Sequence, residues 1–146
     1  MNRIIKELNQ FLEGNYMAIH AYNQYIYHTN EVELKKTLQN IQQNHKKHTT
    51  MIAERIQNLG GIPTQDVGIK GRFAEMMQHI TGKTTDPVHI IKDALAGEER
   101  GIKKSKEMLK GDLDSESFQL VKHILEEDEK HVERLQQLLH EKTSRV

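Results

Sequence analysis

Apolar residues recur at intervals of three and four along four long stretches of the chain, the spacing that lines one face of an α-helix. The first stripe, Ile5, Leu8, Leu12, Asn15, Ala18/Ile19, Tyr22 and Ile26, predicts a helix over about 3–29. The second, Leu34, Leu38, Ile41, His45, His48, Ile52, Ile56 and Leu59, predicts a helix over about 31–59. Asn30 with Glu33 three residues on reads as a capping box at its start, and Gly60-Gly61 with Pro63 beyond reads as its stop. Asp86-Pro87 offers an N-cap and a first-turn proline to a third helix over about 87–110, with Ile91, Leu95, Glu98, Gly101/Ile102, Ser105 and Met108 on its stripe. The fourth, over about 114–141, is capped by Asp114 or Ser115 and carries Val121, Ile124, Asp128, His131, Leu135 and Leu138. The turns near Asn30 and Gly111–Asp114 are short, so each pair of helices forms an antiparallel hairpin. Residues 64–86 are too many for a tight turn. They can run the height of a bundle and set the third helix parallel to the second, and Phe73, Met76, Met77 and Ile80 predict a small helix within them. The expected fold is therefore all-α: one four-helix bundle over residues 1–146.

The pattern also repeats. A shift of 83 residues places Gly14-Asn15 on Gly97-Glu98, His45 on Asp128 and His48 on His131. The apolar positions follow the same offset, Leu8 on Ile91, Leu12 on Leu95, Leu38 on Val121, Ile41 on Ile124 and Ile52 on Leu135. Two copies of one helix pair, each with metal-ligand residue types at matched depths, describe a bundle with a site between its halves.

Composition narrows the function classes. Lys+Arg and Asp+Glu both number 21, so charge gives no reason to propose nucleic acid or an anionic membrane as the main partner. No run of about 18 apolar residues occurs, and neither a membrane span nor a signal peptide is expected. Cysteine is absent, which removes thiolate ligands and fits a cytoplasmic setting. Nine histidines are the one compositional outlier.

Six polar residues interrupt the apolar stripes near mid-helix: Asn15, His45, His48, Glu98, Asp128 and His131. A buried, unpaired carboxylate there would cost several kcal/mol or become protonated. Residues three apart on a helix share a face, so His45/His48 and Asp128/His131 can each aim two donors at one point. Mixed imidazole and carboxylate donors suit Fe, Zn, Ni, Cu or Mn. The candidate metal set is His45, His48, Glu98, Asp128 and His131, with Asn15 and Glu127 as neighbours. Each has a plainer reading, Asn15 as a satisfied core amide and the two second-helix histidines as partly exposed. His20, His28, His79, His89, His123 and His140 fall off the stripes or near helix ends and read as surface; Tyr22 and Tyr25 read as core.

Leu8-Asn9-Gln10-Phe11-Leu12 with Ala18-Ile19 and Tyr22 resembles the start of the first helix of bacterioferritins. His48, Ile52, Glu54-Arg55-Ile56, Leu59, Gly61 and Pro63 resemble the end of their second. The chain is thus similar to the ferritin-like superfamily, and most closely to its bacterioferritin and rubrerythrin-type members, over nearly its whole length. The resemblance implies a di-iron site built from a Glu, a Glu-x-x-His, a second Glu and a second Glu-x-x-His. Those positions fall on Asn15, His45/His48, Glu98 and Asp128/His131. Four carboxylates have become two, so two divalent ions less than about 4 Å apart would repel each other with little compensation. Lys46 stands where bacterioferritins place a haem-ligating Met, so no haem is expected.

The resemblance and the residues together lead to an iron-handling or stress-protection protein with one Fe or Zn ion per subunit, and weak or absent ferroxidase activity. The ion is expected nearer Glu98, Asp128 and His131, which carry the negative charge, and completed by His45 or His48. The alternative is a metal-free dimeric module in a stress response, since the Leu-Gly-Gly-x-Pro helix end is also similar to stress-associated ferritin-like proteins that have lost most ligands. Only 15 residues follow His131, short of the extra helix that closes ferritin cages, so a homodimer is expected. Light scattering should report about twice the 17.0 kDa chain mass, and a particle of hundreds of kilodaltons would refute this.

Overall fold

The computed structural model describes the backbone of residues 2–79 and 85–144, and their side chains except those of 75–79. Among the described residues there are five helices: α1 Asn2–His28, α2 Val32–Asn58, α3 Asp66–His79, α4 Pro87–Leu109 and α5 Ser115–Thr143. The four long helices match the four sequence stripes to within two residues at each end. Among the described residues there is no strand, and no helix is long and apolar enough to cross a membrane.

Hydrogen bonds and packing fix the topology. Gln42 on α2 donates to the Ile19 carbonyl on α1, while Leu8 and Leu12 pack with Ile52 and Ile56, so α1 and α2 run antiparallel. Ile91 packs with Leu135 and Leu138, and Met108 with Val121 and Ile124, which makes α4 and α5 a second antiparallel pair. Tyr22 reaches Glu98 while Leu8 meets Met108, so α4 is also antiparallel to α1 and hence parallel to α2.

The core has two apolar parts. Leu34, Leu38, Ile90, Ile91, Leu135 and Leu138 belong to one, and Leu8, Leu12, Ile52, Ile56, Val121 and Ile124 to the other. Each of these side chains contributes roughly 1.5–3 kcal/mol when fully buried. The six polar stripe residues occupy the levels between the two parts, so water is excluded from the polar layer at both ends of the bundle.

Helix ends follow local chemistry with one exception. Asp86 accepts from the Val88 amide and Asp114 from the Ser117 amide, the expected N-caps. The predicted capping box at Asn30 and Glu33 does not form. Instead Glu31 occupies the cap position without a side-chain bond, and the Thr29 hydroxyl accepts from its amide. At the end of α2, Gly60 adopts a φ of 86° and donates to the Gln57 carbonyl, while Gly61 donates to that of Ile56. Arg55 then ties this end to α5 through Asp114 at 2.8 Å and Glu116 at 2.6 Å.

The crossover is pinned rather than loose at its start. Asn9 on α1 donates to the Ile62 carbonyl and accepts from the Thr64 amide. Helix α3 buries Phe73 as predicted, and also Ile69, which the sequence reading passed over. The side chains of Met76, Met77 and His79, and the whole of Ile80, lie outside the described residues. His20, read as surface, is buried, and it bonds Asp66 at the start of α3 across 2.8 Å. It was misread because α3 covers a face of α1 that the main stripe does not include.

A Cβ on Gly61 would lie 2.7 Å from Ile5 Cγ2, whereas one on Gly14, inside α1, would meet nothing within 4 Å. Gly61→Ala should therefore destabilise the protein by about 1–3 kcal/mol, and Gly14→Ala should stabilise it by about 0.5–1 kcal/mol. Urea denaturation of the two variants reads both signs.

Candidate metal centre

All six predicted centre residues are buried, His48 completely. Five of them meet, and Asn15 does not. Its amide donates to the Phe11 carbonyl one turn back at 2.9 Å, so it is satisfied within α1.

Glu98 is the hub. Its Oε2 accepts from the Tyr22 hydroxyl at 2.5 Å and from His45 Nε2 at 2.7 Å, and its Oε1 from His131 Nδ1 at 2.9 Å. Burial pushes the Glu98 carboxyl up, but the bonds from His131 and His45 outweigh it and hold the group at about 2. Burial likewise lowers His131, yet the carboxylates of Asp128 and Glu98 beside Nδ1 raise it to about 9. The His131 ring is therefore protonated at neutral pH. It gives its second proton to Asn44 Oδ1 at 2.8 Å and neutralises Glu98 from inside the bundle. Burial also pushes the Tyr22 phenol well above its usual range, with Glu98 adding to the effect, so Tyr22 stays protonated as a donor.

His48 faces the other way. Its Nε2 lies 2.8 Å from Glu127 Oε1, and the same oxygen takes Asn44 Nδ2 at 3.2 Å. The arrangement follows the internal repeat: Asn44 and Glu127 are themselves 83 residues apart, and each receives a bond from the other half's histidine. Burial is the main cause lowering His48, which favours its neutral ring. Glu127, by contrast, is pushed up by partial burial but held at about 2 by His48 and Asn44, with His123 adding positive charge.

Among the described residues, three buried atoms at this level have no hydrogen bond, His45 Nδ1, His48 Nδ1 and Asp128 Oδ1, although His131 Nδ1 lies 3.3 Å from the last. Asp128 Oδ1 lies 3.9 Å from the first and 4.0 Å from the second. Around a tetrahedral ion with bonds of about 2.0–2.2 Å, ligand atoms lie about 3.3–3.6 Å apart, so these atoms would close by a few tenths of an ångström to hold one. The outer nitrogen of each of these histidines is held by a carboxylate, Glu98 or Glu127, the usual way a ligating imidazole is oriented. The four-residue group whose donor atoms lie within 4.8 Å of one another is His45, Glu98, Asp128 and His131, and it does not include His48.

The sequence reading missed three participants. Tyr22 is core, as its stripe position implies, and His123 is on the surface, but their bonds to Glu98 and Glu127, and the part played by Asn44, are not legible from the stripes. Asn44 was detectable, because the 83-residue offset pairs it with Glu127. His123 is exposed, yet its Nε2 lies 3.2 Å from Glu127 Oε1, one helical turn away. An open pocket of about 520 Å³ between α2 and α5, lined in part by Asn44, Glu127 and His131, brings solvent to the edge of this layer.

The bundle topology is a ferritin-like fold. Residues 3–111 match the family described as a domain of unknown function, DUF2383, and the chain belongs to that family. No curated protein matches. Among known structures, the dodecameric thioferritin of Bacteroides fragilis, a bacterioferritin-related protein, superposes with a TM-score of 0.84 at 21% identity, over 98% of this chain and 88% of that one. The Desulfovibrio desulfuricans bacterioferritin, described with a di-iron site, gives 0.77 at 24% identity over 97% and 81%. A ferritin-like di-iron-carboxylate protein of Bacillus anthracis gives 0.70 at 22% over 94% and 96%.

The metal-free protein should lose stability at both ends of the pH scale. Glu98 is lowered in the fold, so its contribution is present above the ordinary carboxylate range and lost as pH falls toward 2. His131 is raised, so its contribution is full below about 6.5 and lost as pH rises through about 9. Calorimetry in chelator should show Tm falling along both limbs, and His131→Gln should flatten the alkaline one.

Proposed function

We propose that the protein is a ferritin-like metal-binding protein whose centre takes one divalent ion, Fe²⁺ or Zn²⁺, and serves iron handling or stress protection. The observation that carries this reading is the approach of His45 Nδ1 and His48 Nδ1, two buried nitrogens with no hydrogen bond among the described residues, to Asp128 Oδ1, which otherwise meets only His131 Nδ1 at 3.3 Å. Leaving either buried imidazole nitrogen without a partner costs about 1–3 kcal/mol, which a bound ion would remove. These three would hold the ion, with Glu98 within reach. In this reading the ion would lie toward α2, while the side that charge counting favours offers, with His45, the group of Glu98, Asp128 and His131 donors within 4.8 Å of one another. A bound ion would supply a Lewis acid and, if iron, a one-electron couple.

A paired-iron oxidase fits poorly. A carboxylate bridge between two ions needs a group with two donor oxygens, and α2 presents only imidazole at His45. One cation, the protonated His131, already balances Glu98, so the remaining negative charge suits a single divalent ion.

Titration of the apo-protein with Zn²⁺ should saturate at one tight ion per chain. Asp128→Asn should weaken it by about 100-fold or more, while Asn15→Ala should leave affinity unchanged, since that amide is tied to its own helix. Rapid O₂-dependent oxidation of two Fe²⁺ per chain would overturn the single-ion reading.

A further inference from the structure

We propose that His48, His123 and Glu127 form a second, outer site for a divalent cation of the Zn²⁺, Co²⁺ or Fe²⁺ class, from which the ion passes to the buried centre through His48. The inference rests on the buried centre proposed above and shares His48 with it, but His123 and Glu127 lie outside that centre. His123 and Glu127 stand four apart on α5 and therefore share a face, while His48 meets them from α2. One donor atom from each lies within 4.8 Å of the other two, and none of these three contacts involves Glu98 or His131.

The crowding at Glu127 is the first argument. Its Oε1 is approached by His48 Nε2 at 2.8 Å, His123 Nε2 at 3.2 Å and Asn44 Nδ2 at 3.2 Å. A carboxylate oxygen has two lone pairs, so three nitrogens around it exceed what hydrogen bonding can satisfy well. A cation placed among His48, His123 and Glu127 resolves the excess, because both imidazoles then offer lone pairs instead of protons. Two imidazoles and a carboxylate are a donor set suited to borderline divalent metals.

Exposure is the second. Burial grades from 48% side-chain exposure at His123, through 27% at Glu127, to none at His48. An ion held at the outer end keeps solvent ligands, which favours exchange. The same His48 ring presents Nε2 to this outer position and Nδ1 to Asp128 inside. One imidazole thus touches both positions, and a neutral ring can serve only one of them at a time. The two positions are therefore alternative stations for one ion rather than a permanent pair.

His123 lies outside the buried donor set and on the surface, so its removal tests the outer site without disturbing the core. Co²⁺ loading, followed by its visible absorption, should slow by about tenfold in His123→Ala, with the final Zn²⁺ affinity in equilibrium titration unchanged. In an Asp128→Asn background, a weaker ion should remain, and adding His123→Ala should abolish it. Equal loading rates in wild type and His123→Ala, or residual binding indifferent to His123, would overturn the outer site. Insensitivity of the wild-type tight site to Asp128→Asn would instead overturn the buried centre, so the two failures are told apart.

Discussion

The structure depends on keeping a buried carboxylate charged in the middle of an apolar bundle. Glu98 cannot be there alone, because removing an unpaired carboxylate from water costs far more than any single helix contact returns. It is stabilised by donors from three helices: Tyr22 from α1, His45 from α2 and His131 from α5. Those bonds set the relative height of all four long helices, since each donor must lie level with the same two oxygens. The apolar clusters at either end supply the bulk of the burial energy, but an apolar face tolerates sliding by a turn more readily than a three-way hydrogen-bond hub does.

The internal repeat explains how two halves of unlike chemistry share one layer. His48 bonds Glu127 and His131 bonds Asn44, a reciprocal exchange across the α2–α5 contact. Elsewhere the symmetry is broken. Glu98 is a hub, while its counterpart Asn15 is turned back on its own helix. Tyr22 bonds Glu98, while its counterpart Ser105 is buried with no partner for its hydroxyl. The carboxylate charge thus gathers on α4 and α5 and the open imidazole nitrogens on α2, so a cation between them draws on both halves.

This asymmetry separates the chain from a four-carboxylate centre on the same fold. His131 contributes a protonated ring to the layer, a positive charge of the kind a second metal ion would otherwise supply. Histidine at position 45 contributes one open nitrogen where a glutamate would contribute two oxygens. In the single-ion reading proposed above, both changes would reduce the number of metal cations the layer could balance, and both follow from single residues.

The amino-acid sequence alone determined the helices, their caps at Asp86 and Asp114, the glycine stop at Gly60-Gly61 and the level at which polar residues interrupt the stripes. These are periodic or local properties: a 3.6-residue repeat and a cap are written in neighbouring residues. It also determined the bundle topology, because loop length limits which helices can be neighbours. Tertiary structure decided what each polar side chain does. Asn15, His48 and Glu98 look alike on a stripe, yet one bonds its own backbone, one turns an open nitrogen inward and one gathers three donors. His20 and His123, both off the stripes, acquired partners from α3 and α2 respectively, which no periodicity within their own helices could show. Hydrogen-bond partners and charge states arise from distances between residues far apart in the chain, and those distances exist only once the helices have packed.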